Sequence, residues 1–191
     1  MRLDNSNIET YVKKTYNINE PKITAEKKLH VIALLQKNYG MKGDCSLVSM
    51  TACTRYYNIN YPVNDIYNYI ENIAKKCGYN GNTYGTLPTT IWKIYQAVLK
   101  KVGIDHTVAT NYIKGLAFNF STIKKVIDRS EPIILSIKSA NEGYYQDHSV
   151  VACGYRVYNN KAKFVIIQDN WSKSVSYIDY NTISRFSSLV Y

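Results

Sequence analysis

Two kinds of hydrophobic pattern follow one another along the chain. Up to about residue 103, apolar residues recur at the three- and four-residue spacing of buried helix faces, with Pro, Gly or Thr where helices begin or end. The pattern predicts three helices: 45–57, Pro62 to the residue before Gly78, and Thr89 or Thr90 to Val102. Few helix breakers and scattered apolar residues in the first of these indicate a buried helix.

From residue 104 onward, short apolar runs alternate with turn residues, which is the pattern of β-strands. One further helix is predicted from Ser121 to about Arg129. The predicted strands lie near 104–110 and at 133–137, 148–157, 163–169 and 174–178. Because helices come first and most strands follow, we expect an α+β fold in which a helical N-terminal half packs on an antiparallel β-sheet.

The length of 191 residues fits one domain with a single core. Residues 1–25 are polar and mixed, so we expect an N-terminal arm or peripheral element there and the domain itself over 26–191. The apolar segment LHVIALLQ at 29–36 is too short to assign to a strand or to the end of a helix. The Gly- and Asn-rich segment 79–88 predicts a loop long enough to line a cleft.

Charge and hydropathy narrow the picture only slightly. No run of roughly 18 apolar residues could span a membrane. The N-terminus lacks the apolar stretch of a secretory signal, so we expect a cytoplasmic protein unless export uses a route without a cleaved signal. The net charge of +10 favours an anionic partner such as nucleic acid or phospholipid. Most of this charge lies in dispersed lysine pairs, however, which solvated helix faces explain more simply.

The four cysteines, at positions 45, 53, 77 and 153, form neither a CxxC pair nor a metal-ligand spacing with any histidine. We therefore expect no metal. Cys53 falls on the predicted helix of Cys45 and Cys153 within an apolar strand, so both are expected to be small buried residues. If Cys45 is a nucleophile, three cysteines remain for other roles. An odd number argues against a full disulfide framework, and this usage of cysteine fits a reducing compartment.

Candidate chemistry comes from three segments that present a thiol, an imidazole and a carboxylate in that order. They are GDCSLVSM around Cys45, DHSVVACGY around His148, and FVIIQDNW, which contains Asp169. The thiolate is the attacking form of cysteine, and a helix N-terminus or an adjacent imidazolium lowers the thiol pKa. Because Cys45 opens a predicted helix, we expect a lowered pKa there and backbone N–H groups able to stabilise an oxyanion.

His148 competes with His106 for the role of base, because both histidines lie in an Asp-His-Ser/Thr-Val tetrapeptide. The residues that follow favour His148, since VVACGY is typical of a strand buried on both faces and the next strand ends at Asp169. His106 leads into TVATNY, a less apolar segment with no acidic residue soon after it. The purely structural alternative for either histidine is a strand-end position bonded to a backbone carbonyl.

As a set, these segments resemble papain-like cysteine peptidases, most of all the bacteriocin-processing (double-glycine leader) peptidase-like family. In that family an Asp-Cys pair opens a helix ending near Tyr-Tyr-Gly-Ile, and this chain has DCSLVSM and then YYNIN. The family's histidine begins a strand of the form H-x-V-V-x-x-G-Y, which DHSVVACGY matches. Papain relatives place their third residue just before Ser-Trp, and Asp169-Asn170-Trp171 has that form with Asp in place of Asn. The resemblance covers about residues 30–180 and implies a papain-like fold in a bacterial or phage enzyme.

Two positions depart from the family pattern. Ser46 follows the nucleophile where the family has Gly. The oxyanion glutamine of papain relatives lies six residues before the cysteine, where this chain has Tyr39. Gln36 lies nine residues before it and serves in the oxyanion hole only if the intervening loop KNYGMKGD bulges.

The three segments and the resemblance together predict a cysteine peptidase without a cofactor, acting on a protein or peptide substrate. Cys45 would attack, His148 would transfer the proton and Asp169 would orient the imidazole. Two alternatives stay open. Deamidases and acyl transferases of the transglutaminase kind use the same Cys-His-Asp order, and a catalytically inactive binding module of this fold would present its basic, tyrosine-rich surface to a polyanion.

Overall fold

A computed structural model describes residues 1–40, 43–81, 85–112, 119–138, 144–145, 147–184 and 187–191. Within these ranges the chain forms five α-helices and seven β-strands. The helices are α1 (Ile8–Tyr16), α2 (Cys45–Tyr57), α3 (Val63–Lys76), α4 (Pro88–Lys101) and α5 (Phe120–Asp128). The strands are β1 (Ile23–Lys28), β2 (Thr110–Tyr112), β3 (Ile133–Ile137), β4 (His148–Tyr158), β5 (Ala162–Gln168), β6 (Ser176–Asp179) and β7 (Ser188–Val190).

All seven strands belong to one antiparallel sheet with β4 at its centre. Six of them lie in the order β2-β7-β3-β4-β5-β6, and β1 pairs with β4 outside this path. Strand β3 pairs with the first half of β4, where Ile137 faces His148, and β1 pairs with the second half, where Lys28 faces Gly154. Strand β5 covers the other edge of β4. The predicted α+β fold with an antiparallel sheet is confirmed.

Helix α2 runs through the core and packs on β3, β4 and α3. Nine consecutive residues, Ser46 to Thr54, are buried, so the helix has no polar face. Three of its hydroxyl side chains bond back to the helix itself: Ser49, Thr51 and Thr54 each donate to the carbonyl four residues earlier at 2.8 Å. This arrangement explains why the sequence of α2 shows scattered apolar residues rather than a stripe.

Helices α3 and α4 have the amphipathic pattern that the sequence predicted. Their buried residues recur at three- and four-residue spacing: Ile66, Tyr67, Ile70 and Ala74 on α3, and Ile91, Ile94, Tyr95, Val98 and Leu99 on α4. Both helices contact α2, so they form the outer layer over its buried surface. In the described part of the chain, no helix is both long and apolar enough to cross a membrane.

Residues 1–28, most of which were expected to form an arm, contain α1 and β1. Helix α1 buries Ile8 and Val12 almost completely in the same core as the other helices and the sheet. Tyr11 and Tyr16 donate their hydroxyls to the carboxylate of Asp179 at the end of β6, at 3.0 and 2.6 Å. Strand β1 reads as polar in the sequence because all six of its positions are exposed or half-buried.

Other short segments also differ from the predicted elements. Within 104–110 only Thr110 is in a strand, because β2 begins there and pairs with β7, a strand that the sequence did not predict. The apolar segment 29–35 is neither helix nor strand, although it buries Leu29 and Val31, and it leads into a short 3₁₀ helix at Gln36–Asn38. The structure of such short stretches depends on their neighbours in space, which periodicity does not reveal.

Gly154 allows β1 to approach β4 closely. A Cβ atom at this position would lie 2.4 Å from the Lys27 carbonyl oxygen and 3.1 Å from the Cα atom of Lys28, and neither backbone atom can turn aside. Gly154→Ala should therefore lower the free energy of unfolding by about 1–3 kcal/mol, the usual cost of overpacking. Urea denaturation measures this change, and an unchanged midpoint would contradict the close approach.

Candidate active site

A buried carboxylate fixes the start of α2, where Cys45 is the first helical residue. Asp44, the preceding residue, is fully buried. Its carboxylate accepts hydrogen bonds from the hydroxyls of Tyr67, at 2.7 Å, and Tyr79. Tyr67 lies on α3 and Tyr79 follows that helix, so these bonds hold the start of α2 against α3.

The Cys45 thiol is half-buried against the start of β4. Its sulfur accepts hydrogen bonds from the N–H and hydroxyl groups of Ser149 and from the N–H of Ser46. Burial has the largest effect on the thiol and raises its pKa above the ordinary 9.0; the hydrogen bonds lower it, and the Asp44 carboxylate raises it again. The lowered pKa expected from the helix start is therefore not found, because enclosure of the sulfur outweighs its donors.

His148 is the first residue of β4, and its buried ring packs in a cluster with two aromatic rings. Its imidazole stacks on the Trp171 indole with ring centroids 4.1 Å apart, and the Tyr145 ring lies nearly parallel to it at 6.1 Å. Burial lowers the pKa of His148 below the ordinary 6.5. The hydrogen bond to Asp169 and the charge of its carboxylate raise this pKa, but by less than burial lowers it. The imidazole is therefore uncharged at neutral pH.

The ring of His148 is oriented by a backbone carbonyl. Its Nε2 atom lies 2.8 Å from the main-chain oxygen of Asp169. A carbonyl oxygen only accepts hydrogen bonds, so Nε2 carries the proton and Nδ1 has the free lone pair. The sequence predicted an interaction through the Asp169 carboxylate, whereas the structure places this residue beside His148 through its main chain.

The Asp169 side chain turns away from the imidazole because other donors surround it. The carboxylate is fully buried and accepts five hydrogen bonds, two from backbone N–H groups and three from side chains: Trp171, Ser172, Arg2, Tyr145 and Ser176. Burial opposes the charged form, but these hydrogen bonds outweigh it and hold the pKa of Asp169 below its usual 3.8. The carboxylate thus stays ionised inside the protein.

Asn170 connects the helix of Cys45 to the strand of His148. Its side-chain nitrogen lies 3.2 Å from the Cys45 carbonyl oxygen, 2.8 Å from the Ser49 hydroxyl and 3.1 Å from the Ser149 carbonyl oxygen. The backbone of Asn170 has a φ of 62°, the left-handed conformation that asparagine tolerates better than most residues. No local sequence pattern indicates this linking role of Asn170.

Gln36 lies next to the same turn. Its backbone N–H donates to the Asn170 carbonyl oxygen at 2.8 Å, and its side chain is half-buried. Gln36 begins the short 3₁₀ helix, a compact turn that takes up part of the extra length before Cys45. Tyr39, at the position of the glutamine in papain relatives, instead stacks on Tyr67 with ring centroids 4.3 Å apart.

His106 lies at the other end of α2 from Cys45. Its ring stacks on Tyr57, the last residue of that helix, with centroids 5.3 Å apart. A 13-residue helix is about 20 Å long, so His106 is far from the thiol. Within the residues that the structure describes, no cluster of three or more His, Cys, Asp or Glu side chains is suited to a metal ion.

Comparison with known proteins adds a family to this geometry. The sequence profile described as the Peptidase_C39 like family matches residues 28–191. The chain belongs to this family. The resemblance to bacteriocin-processing peptidases drawn from the three sequence segments is thereby confirmed. No curated protein sequence matches the chain.

Two solved structures are similar to this C39-like chain. One, described as a C39-like peptidase from Bacillus anthracis, is 14% identical, with a TM-score of 0.58 over 87% of this chain and 97% of that one. Another is the peptidase domain of Streptococcus ComA, a bifunctional ABC transporter involved in a quorum-sensing pathway. It is 15% identical, with a TM-score of 0.49 over 85% of this chain and 97% of that one. At such low identity, the likeness to the Bacillus anthracis structure shows the fold alone.

The raised pKa of Cys45 predicts how the thiol reacts with iodoacetamide. Only the thiolate is alkylated, so the rate should climb steadily between about pH 6 and pH 9 without levelling off. Mass spectrometry of the Cys77→Ser variant measures this, because Cys77 is the other half-buried cysteine, while Cys53 and Cys153 are buried. A rate that reaches its plateau below neutral pH would instead indicate a stabilised thiolate.

Asn170→Asp tests the link between α2 and β4. The change is isosteric but points a carboxylate oxygen at the carbonyl oxygens of Cys45 and Ser149. A buried charge without a partner costs about 3 kcal/mol or more, so the free energy of unfolding should fall by that amount. Asn160→Asp is the matched control, because Asn160 is exposed and also has a left-handed backbone. Equal stability of the two variants would contradict the linking role.

Proposed function

We propose that this C39-like protein is a thiol peptidase with Cys45 as nucleophile and His148 as general base. The observation that carries the proposal is the orientation of the His148 ring. Its Nε2–H is held by the Asp169 carbonyl at 2.8 Å, while Ser149, the next residue on β4, contacts the Cys45 sulfur. The imidazole is thus restricted to the tautomer whose Nδ1 accepts a proton. His148 also directly precedes Ser149, the residue that contacts the Cys45 thiol.

The pKa directions support a resting pair in which both groups are neutral. As the Cys45 sulfur attacks the peptide carbonyl, its proton passes to Nδ1 of His148, which forms an imidazolium and a tetrahedral oxyanion. His148 then gives this proton to the leaving amine as the C–N bond breaks. Water, deprotonated by His148, next attacks the thioester, releases the carboxylic acid and restores the thiol.

Asp169 completes the proposed triad in two ways. Its main-chain carbonyl fixes the imidazole tautomer, and its buried, ionised carboxylate raises the pKa of His148 through its charge. The charge favours the imidazolium, the form that arises during attack, although it does not overcome the effect of burial in the resting protein. Asp169 therefore acts on His148 without forming the carboxylate–imidazole hydrogen bond found in other triads.

The oxyanion is proposed to bind at the start of α2. The first N–H groups of a helix have no partner within the helix, which makes the Cys45 N–H a suitable donor. The Gln36 side-chain amide is the proposed second donor. Supporting this role, Gln36 is bonded through its N–H to Asn170, whose side chain in turn bonds the Cys45 carbonyl oxygen.

Peptide hydrolysis by single variants tests the proposal. Cys45→Ala and His148→Ala should each lower turnover of a peptide library by about a thousandfold or more, as loss of a nucleophile or base does in other triads. His106→Ala is the matched control and should retain activity. Because the pKa of His148 is lowered, activity of the unaltered protein should fall only below pH 6.5, where the imidazole becomes protonated.

Mass spectrometry of the same reactions distinguishes the alternatives. New peptide termini support the peptidase. Deamidated side chains or acyl transfer products, again lost in Cys45→Ala, would instead identify a deamidase or an acyl transferase that uses the same three residues. Absence of any product, together with an unreactive thiol and salt-sensitive binding of a polyanion, would identify a binding module and overturn the proposal.

A further inference from the structure

The first residues of the chain reach the candidate active site, although the match to the family profile begins only at residue 28. Leu3 is buried and forms a β-bridge with Tyr177 on β6, whose N–H donates to the Leu3 carbonyl oxygen at 2.9 Å. Helix α1, which follows Leu3 in the chain, is anchored in the core by the buried side chains of Ile8 and Val12. These contacts place Arg2 directly beside the loop after β5.

The Arg2 guanidinium binds that loop at three points. Its Nε donates to the Asp169 carboxylate at 2.9 Å, and its Nη2 donates to the Ser172 hydroxyl and, at 3.1 Å, to the Ser174 carbonyl oxygen. Its Nη1 lies 3.9 Å from the exposed carboxylate of Asp4. The planar fork of arginine makes several such bonds at once, which a lysine cannot do.

The charge of Arg2 matters because the Asp169 carboxylate is fully buried. The other four groups that donate to it are neutral, namely the N–H groups of Trp171 and Ser172 and the hydroxyls of Tyr145 and Ser176. Arg2 therefore supplies the positive charge in this ion pair. Without it, the carboxylate would remain a buried anion close to the His148 ring.

We propose that Arg2 is a positioning residue of the site. Its guanidinium holds the Asp169–Ser174 loop so that the Asp169 carbonyl faces His148 while the carboxylate faces away, and it neutralises much of the carboxylate charge near the imidazole. Arg2 touches neither the proposed nucleophile nor the proposed base and acts through Asp169. The kinetic consequence rests on the proposed peptidase function, whereas the effect on His148 does not.

Several charged or titratable groups surround the His148 ring and bear on its protonation. The Asp169 carboxylate is near enough for its charge to act on the ring, and it binds both the Arg2 guanidinium and the Tyr145 hydroxyl. The Cys45 thiol contacts the next residue of β4. The preceding residue, Asp147, is exposed and paired with Lys138 at 2.6 Å. Of these groups, only the Arg2–Asp169 pair changes in the experiment.

Titration of His148 by NMR in the full-length protein tests the proposal. Arg2→Gln should raise the pKa of His148, because an Asp169 carboxylate without its cation favours the imidazolium. Arg2→Lys keeps the positive charge but loses the forked guanidinium. The pKa of His148 in this variant should therefore lie between its values in Arg2→Gln and in the unaltered protein. The matched control is Arg129→Gln, since Arg129 pairs with Glu131 beyond the end of β3 that lies farthest from His148. This control should leave the titration unchanged.

A second pair of variants covers the case in which Arg2→Gln does not fold. Asp169→Asn removes the anion, so adding Arg2→Gln to it leaves no unpaired buried charge. If Arg2 acts through Asp169, His148 should titrate at the same pH with and without the Arg2 change in this background. A shift of equal size in both backgrounds, or an unchanged titration in folded Arg2→Gln, would overturn the proposal.

The pH profile of hydrolysis separates this inference from the proposed function. The acid limb of Arg2→Gln should move to higher pH, so its activity at mildly acidic pH should fall severalfold, and Arg2→Lys should restore part of it. If no peptide is cleaved while the titrations behave as expected, the peptidase function fails and the role of Arg2 stands. If peptides are cleaved but Arg2→Gln shifts neither the titration nor the profile, the role of Arg2 is wrong.

Discussion

The hydrogen bonds of the Asn170 side chain fix the geometry on which the candidate site depends. One amide nitrogen lies within 3.2 Å of oxygen atoms from Cys45, Ser49 and Ser149, so it joins the first turn of α2 to the first residues of β4. The left-handed backbone of Asn170 lets its side chain face α2 while the carbonyl of the preceding residue faces His148. Cys45 and His148 come from distant parts of the sequence, and this contact holds the elements that carry them together.

The same junction is polar but almost completely buried. The hydroxyls of Ser136 and Ser149 are buried and lie 3.0 Å apart, next to the bonds of Asn170. Buried polar groups of this kind are costly unless they are satisfied, and satisfied networks favour a single arrangement. Enclosure also raises the pKa of Cys45 and lowers that of His148. The candidate site therefore has a prearranged geometry in which the neutral thiol of Cys45, rather than the thiolate, is favoured.

Much of the fold could be predicted because its main elements have strong local patterns. Helices α3 and α4 show regular apolar stripes, and β3, β4 and β5 are continuous apolar runs between turn residues. Strand β1 escaped prediction because Ala25 to Lys28 reads as polar, and β7 because it is only three residues long. Their stability comes from pairing with distant strands, which a local pattern does not contain.

The sequence predicted which segments meet at the candidate site but not which of their atoms face one another. The three segments identified Cys45, His148 and Asp169 as neighbours, and the structure places His148 beside Asp169 and Cys45 against Ser149. The donors that turn the Asp169 carboxylate away from the imidazole include Arg2, which is 167 residues away in the sequence. The direction of the pKa shift at Cys45 likewise depends on how deeply the sulfur is enclosed, and a helix start alone does not determine that.

The pairing of β1 with β4 has a consequence for how this chain tolerates insertions and deletions. The segment 29–35 runs directly from the end of β1 to Gln36, with Leu29 donating its N–H to the Cys153 carbonyl oxygen and Gln36 donating to Asn170. Both ends of this segment are thus tied to fixed points, and a change of two residues in its length would displace the chain by about 6.6 Å. An insertion or deletion within 29–35 would therefore move Gln36 away from Asn170 and from the start of α2.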